Sequence, residues 1–171
     1  MLISEKMNAA LNEQVGHEFG ASLQYVAIAA YFDSDNLPEL AAHFYRQADE
    51  ERDHAMRLVN YVVDAGGKVA IPAVPAPKSG FASAEEAVKL SVDWELTVTR
   101  QINALVDLAI KETDHTTQNF LQWFVTEQLE EVSSMERLLS MIRRAGANLL
   151  FVEDYLARHG GGGKEAAAGA E

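Results

Sequence analysis

The sequence predicts an all-α protein: a four-helix bundle with a long crossover between its second and third helices and a short fifth helix at the C-terminal end. Three observations predict it. Four long stretches repeat their apolar residues at alternating steps of three and four, the period of a helix. A proline- and glycine-rich run, VAIPAVPAPKSGFAS, separates the first pair of stretches from the second and is too long for a tight turn. No stretch alternates apolar and polar residues as a half-buried strand does.

The first helix is expected over residues 4–33, with Met7, Leu11, Val15, Tyr25, Ala29 and Phe32 on its apolar face. DSDNLP ends it, and Pro38 suits the first turn of the next helix, where a missing N–H costs nothing. That helix runs to about Ala65 through Leu40, Phe44, Leu58 and Val62, and Gly66-Gly67 stops it. After the crossover, Ser83 with Glu86 three residues on has the capping-box spacing. The third helix is expected over about 84–112 and the fourth over about 115–145, closed by Ala145-Gly146. NLLFVEDYLARHG then reads as a short apolar helix, capped by Asn148.

Composition narrows the function. The chain has 171 residues, enough for one domain with its own core. It contains no cysteine, which excludes disulfides, thiolate zinc sites and cysteine-held iron–sulfur clusters. A formal net charge of −12 argues against nucleic acid as a partner and suits the attraction of cations. No segment is long and apolar enough for a membrane span. The N-terminus lacks a basic start followed by an apolar run, so a cytoplasmic location is expected.

Each core seam turns polar near its middle. The first runs 7, 11, 15, 18, 22, 25, 29, 32 and holds Glu18. The second runs 40, 44, 47, 51, 54, 58, 62 and holds Glu51 and His54. The third runs 88, 91, 95, 98, 102, 106, 109 and holds Glu95. The fourth runs 121, 124, 128, 131, 135, 138, 142 and holds Gln128 and Glu131. In an antiparallel bundle, mid-helix residues meet at one height whichever way each helix points. These six side chains should therefore converge in one layer. Four carboxylates buried together would repel and lose their hydration, at several kcal/mol each, unless cations held them. Two divalent cations neutralise four carboxylates. Oxygen ligands with one imidazole suit iron, manganese or zinc and disfavour copper(I). The competing structural reading is a helical interaction module whose seam acids are only hydrogen-bonded.

The strings NEQVGHEFGASLQYVAIAAYFD, HFYRQADEERDHAMRLVNYV and FLQWFVTEQLEEV resemble those of the bacterial non-haem ferritins, over about residues 4–158. The resemblance implies an iron-storage ferroxidase. Such a protein oxidises Fe(II) with O2 or peroxide at a dinuclear centre and deposits ferric mineral inside a hollow shell, a homo-oligomer of 24 subunits. It implies a first iron on Glu18, Glu51 and His54, and a second on bridging Glu51, Glu95 and Glu131. Gln128 would hydrogen-bond a water or peroxide ligand, and Tyr25 matches the family's site tyrosine, able to give a hydrogen bond or an electron. Glu50, Glu127 and Glu130 match a third iron site; each precedes a seam ligand by one residue and so turns about 100° away from it. Trp123 also matches a family position. A dimetal bundle enzyme without storage, using manganese or peroxide chemistry, is the other reading of the same ligands.

Departures from related families are informative. Haem-bearing bacterioferritins repeat E-x-x-H on the fourth helix, where this chain has Gln128-Leu129-Glu130-Glu131. They also place a haem-ligand methionine where this chain has Arg52, so no haem is expected. The segment at 111–122, which would line a three-fold pore, offers mainly Asp114 as an acid. Leu149, Leu150, Phe151, Val152, Tyr155 and Leu156 are too apolar for an exposed free helix, and the resemblance implies that this helix packs around a four-fold axis. His17, His43, His115 and His159 are expected at the surface. Residues 1–159 are expected to form the ferritin-like di-iron domain, and residues 160–171 a flexible Gly/Ala-rich tail.

Overall fold

The computed structural model describes residues 2–160; the Gly/Ala-rich tail, apart from Gly160, lies outside the described residues. Five helices follow in order: α1 (Glu5–Ser34), α2 (Pro38–Asp64), α3 (Ala84–Lys111), α4 (His115–Ala145) and α5 (Leu150–His159). Among the described residues there is no strand. The expected helices are all present, with ends displaced by one or two residues.

The boundaries have local causes. Ser4 Oγ accepts the Met7 amide at 2.9 Å and starts α1. Pro38 is the first residue of α2, and Gly66 ends that helix with φ 73°, a conformation that favours glycine. Ser83 Oγ accepts from the Glu86 amide at 3.1 Å, but the Glu86 carboxylate reaches the Ala82 amide, one residue further out than a closed capping box requires. Asp114 accepts the Thr117 amide at 2.9 Å and starts α4. The main candidate acid for a three-fold pore therefore serves as a helix cap.

Asn148 does not cap α5. Its amide donates to Ala145 O in the turn that closes α4, and Leu149 holds the cap position without a side-chain bond. The polar residue of consequence in α5 is Glu153. Its carboxylate accepts the amides of Glu39 (2.9 Å) and Leu40 (2.8 Å), the first turn of α2, whose own cap residue Leu37 has no side-chain acceptor. A carboxylate there satisfies two orphan donors and sits at the positive end of the helix dipole. With Val152 and Leu156 buried beside it, Glu153 fastens α5 to the bundle. Glu153→Ala is expected to cost about 2 kcal/mol of stability. Faster amide exchange at Glu39 and Leu40 than elsewhere in α2 is the local readout.

α1 is buried on a second face as well, beneath the crossover. Asn12 Oδ1 accepts the Ala70 amide at 2.7 Å, and Gln24 exchanges two bonds with Lys78, at 2.8 and 2.9 Å. Gly16 is needed there because a Cβ would lie 2.3 Å from the ring of Pro72.

α1 packs chiefly on α2, and α3 on α4. The core is two apolar clusters. One gathers Tyr25, Phe32, Phe44, Val88, Met135 and Leu138; the other gathers Met7, Leu11, Leu58, Ile102, Leu121 and Phe124. What separates them is the polar layer.

Candidate metal centre

Helical phase brings Glu18, Glu51, His54, Glu95, Gln128 and Glu131 inward from four helices, and all six are buried. Glu18, Glu51 and His54 form one compact group, each offering a ligand atom within 4.8 Å of the others. His54 Nδ1 lies 3.2 Å from Glu51 Oε2, the reach of an i, i+3 pair on one helix face. These are the three residues expected to share the first iron.

A second compact group joins His54 and Glu131 with Glu127, again within 4.8 Å of one another. Glu127 Oε1 stands 3.8 Å from His54 Nε2, so the imidazole lies between Glu51 on one side and Glu127 on the other. Glu127 is buried, although its phase placed it off the seam. Glu95 is held by polar neighbours: it accepts a short hydrogen bond from the Tyr25 hydroxyl and a 3.1 Å bond from Gln128 Nε2. Gln14, one turn before Glu18, donates to Glu18 Oε1 at 2.9 Å. Sequence reasoning passed over Gln14; its i, i−4 spacing from a seam acid was the available signal.

The electrostatics show what the layer lacks. Burial raises Glu18 to about 6, against the opposing Gln14 hydrogen bond. Burial raises Glu95 to about 8, against the Tyr25 bond. Glu51 is pushed well above the usual carboxylate range, first by burial and then by the charges of Glu95, Glu18 and Glu131. The Tyr25 phenol is raised by burial and by Glu95. None of these shifts involves a lysine or arginine. Glu18 Oε2 is shut off from solvent with no hydrogen-bond partner, and so is Gln128 Oε1. Buried oxygen atoms without donors are what a bound cation would satisfy. The donor set, carboxylates with one imidazole, fits ferrous and ferric iron.

Outside this layer, Glu50 accepts from Gln47 Nε2 at 2.9 Å and is half-buried, whereas Glu130 is exposed. Glu50, Glu127, Glu130 and Glu131 line one cleft of about 390 Å³ between α2, α4 and α5. A smaller opening beside His54 is lined by Glu50, Asp53, Arg57 and Trp123. The Trp123 ring stands edge-on to His54 at 5.3 Å, with the Arg57 guanidinium 4.0 Å over its face. His43 is half-buried: its Nε2 is closed off from solvent, its ring stands edge-on to Phe44, and burial lowers it to about 4.

The ferritin family profile, described as a ferritin-like domain, matches residues 8–145. The chain belongs to the ferritin family. As a ferritin it stores iron. It is 46% identical to Ferritin BfrB of Mycolicibacterium smegmatis over 91% of this chain and 86% of that one. It is 38% identical to the bacterial non-heme ferritin of Staphylococcus aureus over 88% and 92% of the two chains. A solved open pore ferritin from the archaeon Archaeoglobus fulgidus superposes with a TM-score of 0.89 at 38% identity, covering 91% of this ferritin and 97% of the archaeal chain. Family membership sets aside the reading of the seam acids as a plain interaction module. No helix among the described residues is long and apolar enough to cross a membrane.

Proposed function

We propose that this ferritin oxidises Fe(II) with O2, or with peroxide, at a dinuclear centre in the polar layer, and deposits ferric mineral inside a hollow shell of 24 copies. The single observation that carries the proposal is the cluster of buried carboxylates, joined by one imidazole, between two apolar half-cores. Glu18, Glu51 and His54 hold one ferrous ion. Glu51 bridges to the second, which takes Glu95 and Glu131.

Ferrous ions displace the protons that burial keeps on Glu51 and Glu95. Two divalent ions then match the four carboxylates in charge. Each ion gives one electron to O2, which is reduced to the peroxide level. The peroxide dianion balances the two positive charges that the ferric pair gains; when it leaves as hydrogen peroxide it takes up two protons from bound water, and the hydroxides left behind keep the balance. The ferric product then departs toward further acids. Glu127, in contact with His54, begins such a path, and Glu50 and Glu130 continue it along the cleft as a third iron site. Gln128, held on Glu95, makes the two iron positions inequivalent, because an amide carries no charge. Tyr25 fixes the Glu95 carboxylate by a hydrogen bond and stands ready to give the centre an electron.

Residues 1–159 form the di-iron domain in this reading. No haem takes part: Arg52 stands where a ligand methionine would be needed.

Size and chemistry test the proposal together. A shell should sediment at roughly 450 kDa, 24 copies of the 18.8 kDa chain. Aerobic Fe(II) addition should then give a rapid rise in ferric absorbance and an electron-dense core. A monomer or dimer that oxidises iron without retaining it would refute storage in a shell.

A further inference from the structure

The cleft between α2, α4 and α5 has two ends of opposite charge. α2 and α4 run antiparallel here, since Phe44 packs in one cluster with Leu138 and Leu58 in the other with Phe124. Glu50 on α2 is therefore level with Glu127, Glu130 and Glu131 on α4. One and two turns away, Arg46 and His43 face the Arg137 end of α4, and His159 of α5 closes the same end.

The basic end has unspent donors. Among the described residues neither Arg46 nor Arg137 forms an ion pair, although this chain has 26 acidic against 14 basic residues. Arg137 Nη2 has a marginal bond to Ser133 Oγ at 3.5 Å. His43 Nε2 is buried without a partner. Burial and the Arg46 charge keep this imidazole neutral, so it has one N–H to give. Two exposed guanidinium groups and an imidazole, from two helices, line one end of the cleft.

We infer that this end of the cleft is a subsite for a tetrahedral oxyanion of the phosphate class, held by Arg46 and Arg137 beside the neutral His43 ring. Guanidinium forks match phosphate oxygens in pairs, and two of them balance a dianion. Donors from separate helices suit a tetrahedral ion better than a planar one. The acidic end of the same cleft then gives the anion a role. If Glu50, Glu127 and Glu130 carry departing ferric iron, the cleft holds cation and oxyanion side by side, and iron leaves the centre as a phosphate-associated ion. That role rests on the ferroxidase reading; the binding of the anion does not.

The test is calorimetric titration of inorganic phosphate into the metal-free assembled protein, at low ionic strength and neutral pH. One saturable site per chain is expected. Arg46→Gln and Arg137→Gln should each weaken it by at least about tenfold, and the double variant should abolish it. Both arginines are exposed, so these variants keep the fold. Lys89→Gln, which removes a lysine already paired with Asp93, should leave the affinity unchanged. Absence of a saturable site in the wild-type protein, or equal affinity in the double variant, overturns the assignment. Ferrous oxidation by the same samples in phosphate-free buffer reads the dinuclear centre separately.

Discussion

Replacing Glu51 and His54 together by alanine is expected to abolish the rapid phase of ferrous oxidation, lowering the initial rate by at least about 100-fold. The two residues stand 3.2 Å apart, and in the proposed centre they are the bridging carboxylate and the one imidazole. Loss of the bridge separates the two ions, and two electrons no longer reach one O2 together. The same substitution should leave the shell intact. It should also raise the thermal midpoint of the metal-free protein, because Glu51 is a buried carboxyl crowded by Glu95, Glu18 and Glu131. Removing an uncompensated buried acid relieves a cost rather than breaking a support. Stopped-flow absorbance and calorimetry on one preparation check both parts. An unchanged fast phase would refute the site, and a lowered midpoint would point to a structural role.

The second large effect is on pH. In the metal-free protein Glu18 titrates at about 6 and Glu95 at about 8, against 4.5 for an ordinary glutamate. The folded state therefore holds protons that the unfolded chain releases. The stability these groups contribute is fully present below about pH 4.5 and is lost as pH rises, through 6 for Glu18 and through 8 for Glu95. The Glu95 shift alone is worth on the order of 5 kcal/mol across that window. Saturating divalent metal should reverse the trend, because metal and protons compete for the same oxygen atoms. The thermal midpoint of the metal-free protein should fall between pH 5 and pH 8, and that of the metal-loaded protein should rise. A flat metal-free profile would show that the layer carries its charge without strain.

The bundle was legible because its signals are local. Seam period, the glycine stops after α2 and α4, Pro38 and Ser83 each act within a few residues, and the helices end close to where those residues placed them. The polar layer was legible for a related reason. Helical phase and mid-helix height are arithmetic on sequence, so four seams turning polar at one depth implied one layer. The resemblance to ferritins then supplied the iron, which no spacing could distinguish from manganese or zinc.

Phase fails where a side chain's length or a distant element decides. Glu127 was placed among the outer acids by the resemblance, and its phase sets its Cα one residue off the seam. A glutamate is long enough to swing back, and its carboxylate comes to 3.8 Å from His54. Asn148 had the composition of a cap, yet its backbone N–H closes the turn after α4 and Leu149 stands at the cap position of α5. His43 was read as a surface residue, yet its ring is half-buried, edge-on to Phe44 beside the α5 cleft.

By itself the sequence determined the helices, their order, the depth of the polar layer and which six residues occupy it. Those follow from backbone periodicity and from the cost of burying carboxylates. Only the tertiary structure decided how the acids pair: Glu18 and Glu51 with His54, Glu127 and Glu131 on the imidazole's other side, and Glu95 on Tyr25 and Gln128. It alone set Glu153 on the start of α2 and gathered the arginines at one end of the α5 cleft. These contacts join residues dozens of positions apart, across helices whose separation and rotation no single helix specifies.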